Sequence, residues 1–537
     1  MAAVMVWTAV RQTPTIDEPV YVGTAVVQLR EHSLRFNPEH PPLGKLVVGV
    51  GALLAGPRLE PGFRGDQGVL GRRLLYESGN DPWRLMLWAR LPVIALTLLF
   101  GLVVYAFARE LAGTGAGLVA LALYVFSPDL VAHGSLATLD VPAAGFVLTS
   151  VWLLWRARHG RSWCLPLAGV ALGAALATKM STLPAVPVLL VPAARAGLRA
   201  VSGGNSRRAR ARAFAYAGVV AVAAVAVVWA AYLLVDPRLR WAPRQPVPDV
   251  AGLRGLLVQL LPFPEPYRDG MRVQFGLEDA SWQGFLFGRL YTGSRWYYMP
   301  AALLVKTPLG ALALWAAGTV AVVAVRRLRP AAPYLLAAPA VLLAAAMLGT
   351  RNLGTRYALF LPMFLAVAAG CVLVTAAHRH RPAVPSATGA RAVPVVTGAR
   401  AVPVVTGALV AFAAVSSLRT FPFYLPYSNE AFGGPAKTRL RLHDSNVDWG
   451  QDLGRLAERL REHHRGEHVW LVYKGSGVPS FYGIHASDPR KMPARQVRGL
   501  LVVSDSAAAR ATGRLAALIA SSRPVGDVGH SITIYRR

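Results

Sequence analysis

Apolar stretches long enough to cross a lipid bilayer recur along the first 420 residues of this chain. A membrane-spanning helix needs about 20 mostly apolar residues. The clearest candidates are residues 85–108, 115–132, 141–155, 213–235, 299–325, 332–348, 357–377 and 402–417. Only 16% of the residues are charged, which is typical of integral membrane proteins. The pattern therefore predicts an all-α polytopic membrane protein.

Two further apolar segments need interpretation. Residues 165–191 are too long for one span and short for two, so we expect two tight helices that meet at Lys179-Met180-Ser181. Residues 1–10 are too short to span and lack the features of a signal peptide. We interpret them as the second half of a first helix, with the true start upstream. These readings bring the count to about eleven spans.

Basic turns orient this array, because Lys and Arg are enriched in cytoplasmic loops. Such turns lie at residues 156–161, 195–212, 326–329 and 378–381. With eleven spans all of them are cytoplasmic. The same parity places residues 13–84, 134–140, 236–298, 349–356 and 420–537 on the outer side.

The tail is the sizeable soluble part of the chain. Residues 468–473 and 499–504 have the pattern of strands, and residues 450–463 and 507–521 that of helices. We therefore predict two domains. Residues 1–418 form a membrane domain with a first outer loop (13–84) and a large outer loop (236–298), and residues 419–537 form a small α/β extracytoplasmic domain.

The composition excludes some classes of function. A net charge of +30 would suggest nucleic-acid binding in a soluble protein, but the basic cytoplasmic turns explain much of it, so no nucleic-acid partner is expected. Cys164 and Cys371 both lie in apolar segments. They support neither a disulfide framework nor a thiolate metal site.

Asp17 and Glu18 form an acidic pair at the predicted membrane edge. Acidic residues are scarce, with 27 Asp and Glu against 57 Lys and Arg. Ionisable groups at such a position are functional candidates by default. The structural alternative is a helix start capped by Thr15, where both carboxylates favour the helix dipole.

Other polar side chains lie in the predicted outer segments or, for Arg90 and Lys306, within the adjoining apolar stretches. They are His40, Lys45, Arg90, Asp140, Lys306 and Arg356. Each long cationic side chain could individually extend to the membrane interface. Several cations and carboxylates at one membrane face are better explained by a shared anionic ligand. The polar run at residues 443–452 is typical of an Asp-rich turn before a helix, and its spacing does not fit a calcium loop, so no metal is predicted.

These motifs resemble those of bacterial membrane glycosyltransferases of family 39, which have the GT-C fold and include protein O-mannosyltransferase-like enzymes. The similarity rests on Asp17-Glu18, the HPPLGK run at 40–45, Arg90, and residues 136–140, 169–181, 296–308 and 444–453. The last of these is similar to a signature of a bacterial subgroup with an extracytoplasmic tail. No segment resembles the lectin-like domains of the eukaryotic mannosyltransferases, which weakens the case for a protein acceptor.

The resemblance implies an inverting transfer of a sugar, with mannose expected, from a polyprenyl-phosphate donor to a hydroxyl of a protein or glycan acceptor outside the membrane. Asp17 corresponds to the family's general base, and Glu18 would orient it or hold the acceptor. Arg90, with Lys45 or His40, would bind the lipid phosphate. The remaining candidates, Asp140, Lys306 and Arg356, are expected to bind substrate. The lipid-linked sugar is a co-substrate, and no cofactor is expected.

Two other classes of function remain open at this stage. A polytopic transporter or flippase of a lipid-linked or envelope substrate would also carry embedded charges. Against it, the helical array shows no internal repeat, which many transporters have. A non-catalytic envelope scaffold would leave the acidic pair and the HPPLGK run without a role.

Overall fold

The computed structural model describes residues 1–200, 206–375 and 397–537. Helices dominate up to Leu418, and a small five-stranded sheet follows near the C-terminus. This confirms a mostly helical chain with a small α/β tail. The predicted basic turn at 378–381 lies outside the described residues.

The first half of the chain is helical. Its helices are α1 (Ala2–Arg11), α2 (Glu18–Glu31), α3 (Pro42–Leu54), α4 (Gln67–Arg72), α5 (Pro82–Ala112), α6 (Thr114–Val125), α7 (Pro128–Gly134), α8 (Asp140–Ala157), α9 (Cys164–Thr178), α10 (Ala185–Arg199) and α11 (Ser206–Val235). The predicted break within 165–191 is confirmed: α9 ends at Thr178, and Lys179 has an extended backbone before a short 3-10 turn leads into α10.

The predicted large outer loop is not irregular. It contains α12 (Gly252–Leu260), α13 (Glu265–Asp279) and an antiparallel hairpin of β1 (Gln283–Leu286) and β2 (Arg289–Thr292). The helices that follow are α14 (Tyr298–Lys306), α15 (Leu309–Ala324), α16 (Ala332–Leu348), α17 (Phe360–Gly370) and α18 (Thr397–Leu418).

Two stretches predicted as single spans are broken in the structure. Helices α6 and α7 meet at an angle of 61°, and α14 and α15 at an angle of 120°. Pro128 and Pro308 lie at the breaks, and the residues before them, Ser127 and Thr307, have extended backbones. A proline disfavours the helical conformation of the residue before it, so both breaks follow from the sequence although apolarity alone did not reveal them.

Among the described residues, four helices are long and apolar enough to cross a bilayer, and each bent pair adds one more if it is counted as a single span. Shorter apolar helices, such as Cys164–Thr178 and Phe360–Leu373, occupy other predicted spans. The chain is thus membrane-integral. The count of eleven spans stays a prediction.

The C-terminal domain is built on a mixed sheet. Its elements are α19 (Pro435–Thr438), α20 (Leu453–His463), β3 (Val469–Val472), β4 (Ala486–Ser487), β5 (Leu500–Ser504), α21 (Asp505–Ala509), α22 (Gly513–Ala520), β6 (Arg523–Val528) and β7 (Ile532–Arg536). The strand order is β4-β3-β5-β7-β6, with β3 parallel to both β4 and β5. The sequence analysis missed β4, β6 and β7, and it joined α21 and α22 into one helix.

The structure separates the predicted cytoplasmic turns from the predicted outer segments. Arg158 donates a hydrogen bond of 2.6 Å to the Pro330 carbonyl, which brings the basic turns after α8 and α15 together. Residues from every predicted outer segment line one cavity. This grouping agrees with the predicted topology, which stays a prediction.

Labelling with a membrane-impermeant maleimide tests this topology. Ser480, in the tail, and Ser206, at the start of α11, are both exposed serines, so they form a matched pair. In a variant without Cys164 and Cys371, Ser480→Cys should react in intact cells and Ser206→Cys only after the cells are opened. The reverse pattern would invert the topology.

Candidate active site

A cavity of about 860 Å³ lies where the predicted outer segments meet. Its wall combines the first loop, α8, the α9–α10 turn, α13, the turn before α17 and the C-terminal domain. Charged and polar lining residues include Asp17, Glu39, His40, Gln67, Asp140, Lys179, Arg254, Gln274, Glu278, Arg351, Arg356, Asp444, Lys474 and Arg510. The structure therefore brings Asp17, His40, Asp140 and Arg356 together, as the sequence predicted for a shared site.

Asp17 and Arg356 form an ion pair on the wall of this cavity. Asp17 immediately precedes α2, and Arg356 Nη1 donates to Asp17 Oδ2 at 2.5 Å. The Asp17 side chain keeps 26% of its surface exposed, against 8% for Arg356. Asp17 is thus a cavity-facing carboxylate beside a nearly buried guanidinium.

Aromatic faces hold the Arg356 guanidinium. It lies 4.5 Å from the ring centroid of Trp449 and 5.0 Å from that of Tyr357. Its Nη2 donates to the Tyr357 hydroxyl at 3.2 Å, whereas its buried Nε has no hydrogen-bond partner among the described residues. Because a buried donor without a partner is costly, an acceptor oxygen placed beside this Nε would be stabilising.

Glu18 is turned away from the cavity and pairs with Arg90. Arg90 Nε and Nη2 each donate to the Glu18 carboxylate at 2.7 Å, and both side chains are fully buried. The Thr15 and Ala137 amides donate to the same carboxylate at 2.8 Å. Burial by itself raises the pKa of Glu18, but the Arg90 charge and these hydrogen bonds outweigh it and hold the pKa below its ordinary value.

Arg90 therefore does not occupy the place that the sequence analysis expected. Its remaining N–H groups donate to the carbonyls of Ala9, Gln12 and Thr13. All five N–H donors are used, and Arg90 is absent from the cavity wall in the described structure. The predicted contact between Arg90 and a lipid phosphate has no support in this geometry.

Asp140 also lines the cavity, and Lys179 is its partner. The Lys179 ammonium forms an ion pair with the Asp140 carboxylate and lies 4.9 Å from the Tyr357 ring centroid. Asp140 begins α8, and Lys179 occupies the break between α9 and α10. The sequence analysis placed Lys179 where two helices meet but assigned it no role in the site.

The HPPLGK run divides between the cavity and the loop that supports it. His40 lines the cavity, with Nδ1 buried and unpartnered within the described residues. Burial, followed by the nearby charges of Lys179 and Lys45, lowers the pKa of His40 well below its ordinary value, so its ring is neutral. Lys45 instead donates to the carbonyls of Asn37 and His40 at 2.8 and 2.6 Å, and it does not reach the cavity in the described structure.

Lys306 connects segments of the protein and does not face the large cavity in the described structure. It donates to the Leu425 and Asn446 carbonyls at 2.5 and 3.0 Å and lies 3.4 Å from Asp129. It joins the end of α14 to the tail and is not among the described residues that line the large cavity.

The tail segment 444–452 supports both members of the Asp17–Arg356 pair. On one side, Asn446 Oδ1 accepts from the Thr355 amide at 3.1 Å, and Ser445 donates to the Leu353 carbonyl at 2.7 Å. On the other side, the Ile16 amide donates to the Trp449 carbonyl at 3.0 Å. This segment is therefore a buried support of the site.

The sequence analysis missed three cavity residues of the tail, Trp449, Lys474 and Arg510. The resemblance at 444–453 marked the segment that contains Trp449. Nothing in the local sequence around Lys474 or Arg510 indicates that a remote domain folds against them.

Comparison with known proteins finds a family model and several solved structures that are similar to this chain. The sequence model of the family described as dolichyl-phosphate-mannose-protein mannosyltransferase matches residues 1–237. A search of curated proteins gave no match.

Three solved structures illustrate the similarity of this chain to known proteins. ArnT from Cupriavidus metallidurans in the apo state is 14% identical, with a TM-score of 0.46 over 99% of this chain and 95% of that chain. The S. cerevisiae protein O-mannosyltransferase Pmt1-Pmt2 complex bound to the sugar donor is 18% identical, with a TM-score of 0.35 over 44% and 33%. The Archaeoglobus fulgidus oligosaccharyltransferase AglB, in complex with an inhibitory peptide and a dolichol-phosphate, is 14% identical, with a TM-score of 0.44 over 77% and 55%.

The family match confirms the resemblance predicted from the motifs: this membrane protein is similar, over residues 1–237, to the dolichyl-phosphate-mannose-protein mannosyltransferases of glycosyltransferase family 39.

Proposed function

We propose that this chain is an inverting glycosyltransferase that moves a sugar, with mannose expected, from a polyprenyl-phosphate donor to an acceptor hydroxyl on the outer face of the membrane. The observation that carries the proposal is the cavity-facing Asp17 carboxylate beside the Arg356 guanidinium. The family match supports a lipid-phosphate-linked donor.

One side of the cavity suits the lipid part of such a donor. Small and aliphatic side chains of α8 and α16 line it, namely Ala143, Ala144, Val147, Leu342, Ala345 and Ala346. A prenyl chain binds such a surface through burial of apolar area. The lipid phosphate would then lie where this surface meets Arg356 and Lys179.

The chemistry follows from this placement. Asp17 accepts the proton of the acceptor hydroxyl as its oxygen bonds to the anomeric carbon, and the bond from that carbon to the phosphate oxygen breaks. The departing lipid phosphate takes the bonding electrons, and the fixed cations Arg356 and Lys179 stabilise its charge. Attack from the face opposite the leaving group inverts the anomeric centre.

Arg356 can serve the carboxylate and the phosphate together. Its Nη1 holds Asp17, while its Nε is free of a partner within the described residues. A guanidinium has five N–H donors in a planar fork that suits phosphate oxygens. We therefore assign the phosphate contact to Arg356 in place of Arg90, and we assign Glu18 and Arg90 to positioning Asp17.

Asp17→Asn should lower transfer by roughly 100- to 10,000-fold, because it keeps the shape of the side chain but removes the proton acceptor. Donor binding should persist. The assay is transfer from labelled polyprenyl-phosphate mannose, with the exposed Asp249→Asn as the control. Near-normal turnover of Asp17→Asn would remove Asp17 from the role of base.

Arg356→Ala should raise the KM for the donor and lower kcat, since the phosphate would lose a charged hydrogen bond worth about 1.5–3 kcal/mol. Arg356→Lys should restore only part of the activity, because a point charge replaces a planar fork. Exposed Arg289→Ala is the control. Unchanged donor kinetics in both Arg356 variants would contradict the phosphate assignment.

Glu18→Gln and Arg90→Ala should each destabilise the protein by roughly 3–5 kcal/mol, because each leaves its partner's charge buried and uncompensated. Thermal unfolding of the purified protein measures the loss. The exposed pair Arg73–Glu60 provides the control, since Glu60→Gln should change stability little. A stable Arg90→Ala variant with only a raised donor KM would return Arg90 to the phosphate site.

A further inference from the structure

Two cations of the C-terminal domain, Lys474 and Arg510, line the cavity together with the membrane-domain residues. Lys474 lies two residues beyond the end of β3, and Arg510 directly follows α21, which itself follows β5. Because β3 and β5 are parallel neighbours, both connections leave the same edge of the sheet. The carboxyl ends of parallel strands are where α/β sheets commonly bind ligands.

These cations outnumber the anions around them. The Lys474 ammonium pairs with Asp444, and Arg510 Nη2 lies 3.5 Å from the same carboxylate. His443 is 3.2 Å from Arg510 Nη2, and burial lowers its pKa to about 3, although Asp444 opposes the shift. His443 is therefore neutral, and the two cations share the Asp444 carboxylate. Asp448 also interacts with Lys474, but burial raises the pKa of Asp448 to about 7, so it offsets only part of their charge.

In the rest of the cavity wall, each positive charge is paired with a negative charge. The membrane-domain and outer-loop cations each face their own carboxylate: Arg356 with Asp17, Lys179 with Asp140, Arg351 with Glu278 and Arg254 with Asp279. The Glu39 carboxylate accepts from the amides of Asn37, Gln67 and Gln245. The local surplus of positive charge is thus at the tail.

Arg510 also has unused hydrogen-bonding capacity. Its Nε is buried, with no partner among the described residues. A buried guanidinium donor without an acceptor is costly, while the Arg510 side chain as a whole keeps 28% of its surface exposed, so a small rotation of the side chain would bring Nε to an oxygen anion in the cavity. The contact would be strengthened by charge on both partners.

We propose that Lys474 and Arg510 form an anion subsite for the acceptor, which therefore carries a phosphate or carboxylate group near the hydroxyl that receives the sugar. This inference rests on the proposed glycosyl transfer, because it assigns the acceptor of that reaction. The donor phosphate has its own cations, Arg356 and Lys179, beside the apolar wall. The C-terminal domain thereby selects the acceptor.

Binding of small probes to the purified full-length protein tests the subsite. Mannose 6-phosphate represents a phosphorylated sugar, glycerol 1-phosphate represents a lipid headgroup, and mannose is the uncharged reference. At least one phosphate probe should bind roughly tenfold or more tightly than mannose, and the better probe identifies the source of the anion. Equal affinities for all three probes would overturn the proposal.

Two variants should change the affinity for the phosphate probe in opposite directions. Lys474→Met should weaken binding of the phosphate probe about tenfold and leave mannose binding unchanged. Asp444→Asn should strengthen phosphate binding, because it removes the carboxylate that competes for both cations. If the cations served only to hold Asp444, Asp444→Asn would gain no affinity for phosphate, which would also overturn the proposal. The exposed Lys491→Met of the same domain is the control.

Donor turnover, measured in parallel, separates this inference from the proposed function. Absence of a phosphate preference in an unmutated protein that consumes polyprenyl-phosphate mannose normally would overturn the subsite alone. An unmutated protein that binds phosphate probes but never consumes the donor would contradict the glycosyltransferase itself.

Discussion

The buried ion pair between Glu18 and Arg90 is the constraint on which the site depends. Neither charge is tolerable in the interior alone, so each must be fully paired and hydrogen-bonded. The pair joins the start of α2 to α5 and to the carbonyls at the end of α1. Since Asp17 directly precedes Glu18, the same pair fixes where the cavity-facing carboxylate lies.

The two adjacent carboxylates thus have opposite surroundings. Glu18 is held by a guanidinium and two backbone amides, which consume its capacity to accept hydrogen bonds. Asp17 stays partly exposed to the cavity beside Arg356. Glu18 therefore has a structural role and orients Asp17, which faces the cavity. The sequence Asp-Glu by itself does not show that the two carboxylates differ in this way.

The C-terminal domain helps to form the site, together with the helices of the membrane domain. Its segment 444–452 contacts the backbone on both sides of the Asp17–Arg356 pair, and its Trp449 ring lies against the guanidinium. Gly354 has a φ of +147° and lies so close to Ser445 that a Cβ would clash with the Ser445 hydroxyl. The turn that carries Arg356 is therefore shaped by the tail.

The sequence predicted the long apolar helices because apolarity extends over many residues, and it located the break at Lys179 because the apolar segment is too long for one span. It missed the helices inside the predicted outer loops and the breaks at Pro128 and Pro308, which apolarity alone does not mark. It also predicted that Asp17, His40, Asp140 and Arg356 would meet. It could not predict that Arg90 and Lys45 point away from the cavity. Whether such a cation binds a ligand phosphate or an oxygen of the protein itself depends on contacts with distant segments. The same limit hid Lys474 and Arg510, whose place at the cavity requires the tail to fold against the membrane domain.

The most direct test of the central claim is to follow labelled polyprenyl-phosphate mannose in liposomes that contain the purified protein. The account predicts that the label leaves the lipid, that free polyprenyl phosphate appears in equal amount, and that the product has the opposite anomeric configuration by NMR. Labelled lipid that crosses the bilayer intact, with no release of polyprenyl phosphate, would contradict the account and identify a transporter.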